Sequence, residues 1–242
     1  MSQRRFCIMT FGRTGSTWLI QALAEFPDVA VPAKNVVSRD NELLMKGMAE
    51  KYSALIGRPL QSEDQVIDAF FAYNAGSKFA GFKSMPTRHK NYQRFVQRTD
   101  IAFLTLERRD IVSTSASFLM ARKHGTWRRD GGALEQKLAF LPEDRDWVAQ
   151  NLGYIVQSKL MLAGIPRALR LDYEDLCQPG FENARLDAFF ERPVRLPAPK
   201  AATLAQDYLE NWDEFRDFVQ ERWGQALDAV PAQLQKLLSR EG

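Results

Sequence analysis

Histidine and cysteine are scarce in this chain, with two of each in 242 residues. Cys7 and Cys177 stand in apolar, strand-like contexts and read as core thiols. No disulfide framework is expected, and the compartment is expected to be reducing and cytoplasmic. His89 and His124 lie far from the cysteines and lack metal-ligand spacing, so no metal is expected. No apolar run approaches ~18 residues, and no signal-peptide pattern precedes the first strand. The chain is therefore expected to be soluble, without a transmembrane segment. Neither sign of charge dominates: 33 Lys and Arg stand against 30 Asp and Glu, a net charge of +3. That balance suits a small anionic ligand and argues against a nucleic-acid partner. Internal repeats and low-complexity segments are also absent.

Apolar residues are plentiful, at 45%. They suffice for the core of one α/β domain spanning 1–242, with 201–242 as a C-terminal helical extension packed on it. Four runs read as strands: Phe6–Phe11, Lys78–Lys83, Ile101–Leu106 and Ala168–Tyr173. Helical patterns fall at 17–26, 41–55, 63–74, 88–97, 110–123, 133–140, 144–163 and 181–190. Strands alternating with helices predict a central, mostly parallel sheet flanked by helices, a P-loop-like three-layer α/β fold. The three prolines between Pro193 and Pro199 end regular structure. Two amphipathic helices, Ala201–Gln225 and Pro231–Leu238, are expected after them. Tyr208, Trp212, Phe215, Phe218 and Trp223 form an aromatic stripe there, read as core or as a homodimer contact.

Ligands in parallel sheets bind outside the carboxyl ends of the strands. The first strand ends in Gly12-Arg13-Thr14-Gly15-Ser16-Thr17, and an apolar helix from Trp18 follows. A glycine turn into a helix aims unpaired backbone N–H groups at one spot, and Arg13 adds a full positive charge. Such a loop suits a phosphate or a sulfate. It is not the nucleotide-triphosphate loop, because no Lys follows Gly15. The bland alternative is a strand–helix turn that merely needs glycine.

The third strand ends in Arg108-Arg109-Asp110, and Ser117 lies two helical turns on, sharing a face with Ser113. Hydroxyls crowd the first turns of this helix although Ser and Thr are mediocre helix formers. They could offer donors to an anion, or serve as small packing residues while the arginines pair with Asp110 or Glu107.

Together these segments resemble those of sulfotransferases that use 3′-phosphoadenosine 5′-phosphosulfate. The first loop is similar to their 5′-phosphosulfate loop. The Arg108-Arg109-Asp110…Ser117…Trp127 pattern is similar to their 3′-phosphate signature in its bacterial carbohydrate form, of the trehalose and nodulation-factor type. The two lie in the expected order, about ninety residues apart. A weaker likeness is Leu171-Asp172-Tyr173-Glu174-Asp175-Leu176, where this family places a Tyr near the adenine. The chain departs from the animal enzymes in three ways: Arg13 stands for their loop Lys, Asn-Pro does not follow Arg109, and Lys83-Ser84-Met85-Pro86 lacks their His.

The resemblance implies sulfuryl transfer from that donor to a hydroxyl, on a carbohydrate or glycolipid. It implies Arg13 at the 5′-phosphate, in a cradle of Thr14, Gly15, Ser16 and Thr17. Arg109 and Ser117 are implied at the 3′-phosphate, and Trp18 and Tyr173 at the adenine. Glu42, in Asn41-Glu42-Leu43-Leu44, resembles a catalytic Glu of bacterial relatives; the alternative is a first-turn Glu favoured by the helix dipole. His89 and His124 are the other candidates for the base. Lys83 ends the second strand at the ligand edge, where it could bind the sulfuryl oxygens or the acceptor, or be a solvated lysine. The basic segment Ala121–Gly132, with Trp127, suits a lid over the acceptor or a solvated loop. Two other readings stand beside this one: a P-loop-like small-molecule kinase, and a catalytically inactive nucleotide-binding protein.

Overall fold

The computed structural model describes residues 2–32, 48–125, 137–197, 205–207 and 209–232. Five strands form one parallel sheet: β1 Arg4–Thr10, β2 Val29–Ala30, β3 Phe79–Ser84, β4 Ala102–Glu107 and β5 Leu169–Asp172. Their spatial order is β2-β3-β1-β4-β5. The central strand β1 runs parallel to β3 on one side and β4 on the other, with Met9 opposite Ser84 and Thr10 opposite Leu106. After β1 the chain moves to one edge of the sheet, and after β3 it crosses to the other. The switch point of the topology therefore lies at the carboxyl end of β1, where such sheets bind ligands.

Alternation along β1 explains why the sheet is covered on both faces. Cys7, Met9 and Phe11 enter one apolar cluster, whereas Phe6 and Ile8 enter another. The first cluster takes in α2 (Met48–Ile56), α3 (Glu63–Tyr73), α4 (Tyr92–Val96), α5 (Ile111–Lys123) and α6 (Arg145–Ala163). The second joins α1 (Ser16–Ala24) to α7 (Tyr173–Leu176) and α8 (Ala184–Phe190). Near-continuous apolar strands are the signature of a sheet with helices on both sides. The fold is the three-layer α/β arrangement expected from the sequence.

Several local expectations are corrected. The two-residue strand β2 carries too little pattern to be read from the sequence. The segment 88–97 breaks into a 3-10 turn, Pro86–Arg88, and the short helix α4, whose start Asn91 caps. The end of the pattern at 133–140 is not helical: Leu138 forms an isolated parallel bridge with Leu209. Helix α9 spans Trp212–Asp228, with 209–211 not helical, so the helix expected over Ala201–Gln225 begins later; of the one expected over Pro231–Leu238, residues from 233 on lie outside the described residues. Phe215 and Phe218 pack on Phe140 inside the first cluster, so these two members of the aromatic stripe are core. Trp212 and Trp223 pack partly buried against the same cluster, and Tyr208 lies outside the described residues. Cys7 is buried as expected, whereas Cys177 is only partly so. No helix among the described residues is long and apolar enough to cross a membrane.

Candidate functional site

The loop after β1 is held by its own hydroxyls. Thr10 and Thr14 hydrogen-bond each other; the Phe11 carbonyl lies 3.1 Å from Thr14 Oγ1 and the Leu106 carbonyl 2.9 Å from Thr10 Oγ1. Arg13 and Gly15 both adopt positive φ, 67° and 78°. A backbone turned this way presents successive N–H groups on a concave side, an arrangement that suits anions. Gly15 is the N-cap of α1, and no side chain caps that terminus. A Cβ on Gly15 would lie 2.4 Å from ring carbons of Tyr173, so only glycine fits beneath that ring. The turn therefore needs glycine at this position, which both readings of the loop expect.

Two cations meet this loop. Arg13 Nε donates to Ser117 Oγ of α5 at 2.7 Å. Lys83 Nζ donates to Thr17 Oγ1 of α1 at 2.8 Å. Lys83 is 5% exposed, which removes the reading of a solvated strand-end lysine.

Behind the loop lies an aromatic and acidic layer. The Tyr173 ring stands edge-on to Trp18, with centroids 6.4 Å apart, and the Arg108 guanidinium lies 5.2 Å from the Tyr173 centroid. Arg108 Nη1 also approaches the Arg13 carbonyl, at 3.5 Å. Burial pushes the Tyr173 phenol up to about 12, so it stays neutral. Trp18 packs partly buried on the second cluster, so its role in anchoring α1 is real whether or not it meets a ligand.

Arg109 is already engaged. Its Nη2 donates to Asp175 Oδ1 at 2.5 Å, and that bond raises its pKa. The Glu174 carboxylate accepts the backbone N–H groups of Arg109 and Asp110, each at 3.1 Å. The same carboxylate lies 3.9 Å from Nε of both Arg108 and Arg109. Asp172, half-buried at the end of β5, has a carboxyl raised chiefly by burial. Asp110 caps α5 by accepting Ser113 N–H at 2.8 Å. The arginines thus pair with Glu174 and Asp175 across 65 or 66 positions, not with Asp110 or Glu107. Arg108, Glu174 and Asp175 stand inside the two segments that the sequence singles out, but it assigns none of them a part in the site. Their signal was only adjacency to Arg109 and Tyr173, since nothing local says that the two segments meet.

The candidates for a base separate by position. Glu42 lies outside the described residues, as do Trp127 and the rest of 126–132 in the expected lid. His89 is buried, stacks on Phe95 with centroids 3.8 Å apart, and shares a hydrogen bond with Ser84 Oγ at 2.9 Å. Burial lowers its pKa to about 4. His124 caps the far end of α5, thirteen residues or about 20 Å from the end that carries Arg109. His89 is thus tied to Ser84, the residue after Lys83 at the end of β3. No group of three His, Cys, Asp or Glu that could hold a metal occurs among the described residues. A cavity of about 510 Å³ opens between α2, α3 and α4, lined by none of the loop, Arg109, Ser117 or α7 residues.

No family model matches the chain, and no curated protein matches it. Among solved structures, the chain is similar to the crystal structure of a sulfotransferase from Alicyclobacillus acidocaldarius. The identity is 12% and the TM-score 0.46, with 97% of this chain and 100% of that chain covered. At that identity and score, nothing about chemistry passes from one chain to the other.

Proposed function

We propose that the chain is a sulfotransferase that moves a sulfuryl group from 3′-phosphoadenosine 5′-phosphosulfate to a hydroxyl of a carbohydrate or glycolipid. The contact between Arg13 and Ser117 carries this reading, because it unites two anion-binding segments 104 positions apart. The residues fit such a donor. The terminus of α1 is uncapped by side chains, Gly15 lets the turn pass beneath the Tyr173 ring, and Arg13 and Lys83 stand at its edge through Ser117 and Thr17.

The donor, when bound, supplies an activated sulfuryl group on a phosphate leaving group. The chain then has three tasks: hold donor and acceptor in line, neutralise charge on the leaving phosphate, and accept the proton of the acceptor. Arg13 and the N–H groups of Thr14 to Thr17 would do the second, and Ser16 and Thr17 hydroxyls would complete the cradle. Arg13 cannot lose a proton at working pH, so its part is electrostatic and bidentate. Lys83 would face the sulfuryl oxygens. Arg109 and Ser117 would take the 3′-phosphate, with Trp18 and Tyr173 beside the adenine. Glu42 would accept the proton. A sulfuryl group carries less negative charge than a phosphoryl group, so this chemistry does not demand a divalent metal.

Calorimetry with 3′-phosphoadenosine 5′-phosphate, adenosine 5′-phosphate and ATP tests the reading before any acceptor is known. The first should bind at least ~100-fold more tightly than the second, since charge-assisted phosphate contacts are strong. Arg109→Ala should erase most of that difference, and binding should persist in excess EDTA. Equal affinity for the two adenosine phosphates would remove the donor assignment. ATP binding that needs Mg²⁺ would favour a kinase.

A further inference from the structure

The sequence draws attention to Tyr173, but the residue after it makes the denser set of contacts. Glu174 Oε1 accepts the N–H of both Arg109 and Asp110, at the start of α5, and Oε2 also lies 3.1 Å from the Arg109 nitrogen. Arg108 and Arg109 Nε each lie 3.9 Å from the same carboxylate. Asp175 fixes the outer edge of Arg109. Glu174 is one residue from a ring that covers Gly15 and touches Trp18. One carboxylate thus ties the β4–α5 connection to α7, and through Tyr173 to the loop after β1.

We propose that Glu174 is a positioning residue. Its acceptor oxygens lock α7 onto the start of α5, so that Tyr173 above the loop and Arg109 at the end of β4 are held as one unit that reads the adenosine 3′-phosphate half of the donor. The proposal rests on the sulfotransferase reading. The link works through geometry. Two backbone N–H groups that converge on one oxygen fix the connection after β4, and therefore the root of the Arg109 side chain. A guanidinium has five N–H donors. The contact through Nη2 to Asp175 leaves others to meet a phosphate. Tyr173 opens the four-residue helix α7, and its ring is held besides by Trp18 and Arg108, so Glu174 sets the backbone from which that ring projects.

The test is calorimetry of the full chain with 3′-phosphoadenosine 5′-phosphate and adenosine 5′-phosphate, for wild type, Glu174→Ala, Glu174→Asp and Glu174→Gln. Loss of two charge-assisted hydrogen bonds should weaken the bisphosphate by roughly tenfold to a hundredfold in the Ala variant. The Asp variant keeps the charge but is one methylene too short, so it should be weakened similarly. The Gln variant keeps an acceptor oxygen at the same reach and should stay within about threefold of wild type. A purely structural role would lower thermal stability in step with affinity and would leave the preference for the bisphosphate unchanged. Should the Ala variant fail to fold, the Asp and Gln pair decides the matter. A Gln variant as weak as Asp would overturn positioning through the acceptor oxygen. Tighter bisphosphate binding in the Ala variant would overturn it too, showing Glu174 to be an internal competitor for the site. A wild type that fails to prefer the bisphosphate would count against the donor reading. A wild type that does, alongside unaffected variants, would count against Glu174 alone.

Discussion

Arg13 Nε donates to Ser117 Oγ at 2.7 Å, joining the loop after β1 to the second turn of α5. The serine gives the guanidinium a fixed direction. A hydroxyl can accept from Arg13 and still donate its own hydrogen elsewhere. Arg13 is set in a backbone conformation that side chains rarely adopt, so its root and its tip are both constrained.

Ser117→Ala removes the acceptor without changing the helix. A hydrogen bond to a charged group is worth about 1.5–3 kcal/mol, so transfer should slow by roughly tenfold to a hundredfold. Urea denaturation should show a smaller change. Transfer at the wild-type rate, measured in a single turnover, would mean that the Ser117 hydroxyl does not direct Arg13.

Gly15→Ala meets two obstacles, the positive φ of 78° and the Tyr173 ring 2.4 Å from the new Cβ. The backbone strain alone costs about 1–2 kcal/mol, and the ring must also move. A clear fall in thermal midpoint is expected, together with loss of nucleotide binding. A variant as stable as wild type would show that the loop and Tyr173 are not in this contact.

His89 sets a pH dependence whose sign follows from burial. Its pKa falls from 6.5 to about 4 on folding, so the unfolded chain binds more protons in that interval. Stability is therefore unaffected by this residue above about pH 6.5 and is lost as pH falls toward 4. The full loss is of the order of 3 kcal/mol. Urea denaturation at pH 7 and pH 5 should differ by about 2 kcal/mol more in wild type than in His89→Gln. An identical pH profile for the two would show that His89 keeps an ordinary pKa.

Glu42→Gln keeps the shape of the side chain but cannot accept a proton. If Glu42 is the base, acceptor-dependent turnover should fall by roughly 10²–10⁴ while nucleotide affinity holds. If it is a first-turn helix residue, the change should cost a fraction of a kcal/mol in stability and leave turnover intact. Single-turnover transfer by the variant separates the two.

The sheet was legible because buried parallel strands write themselves as apolar runs: Phe6–Phe11 and Ile101–Leu106 differ from β1 and β4 by two residues or fewer at each end. The long helices α3, α5 and α6 fall within one residue, at each end, of the segments 63–74, 110–123 and 144–163 that the sequence predicts. Val29–Ala30 was not, because two residues hold no pattern and pair only because β3 is beside them. The segment at 137–140 was misread for a related reason. Apolar spacing there suited a helix, but Phe140 is claimed by Phe215 and Phe218 and Leu138 by Leu209. Burial of Lys83 and His89 was equally invisible, since exposure is a property of neighbours that arrive from elsewhere in the chain.

By itself the sequence determined the α/β class, the turn at Gly12–Thr17 and the presence of cations at the ends of β1, β3 and β4. These rest on local pattern: apolar period, glycine at a positive φ, and charge where an apolar run stops. Only the tertiary structure decided which partners those cations have. Arg13 meets Ser117, Lys83 meets Thr17, and Arg109 meets Asp175 and the Glu174 carboxylate. The physical reason is the parallel sheet. Its right-handed crossovers return each strand in the same direction, so loops separated by 66 to 104 positions gather at one edge, and their order there follows the strand order β2-β3-β1-β4-β5 rather than the chain.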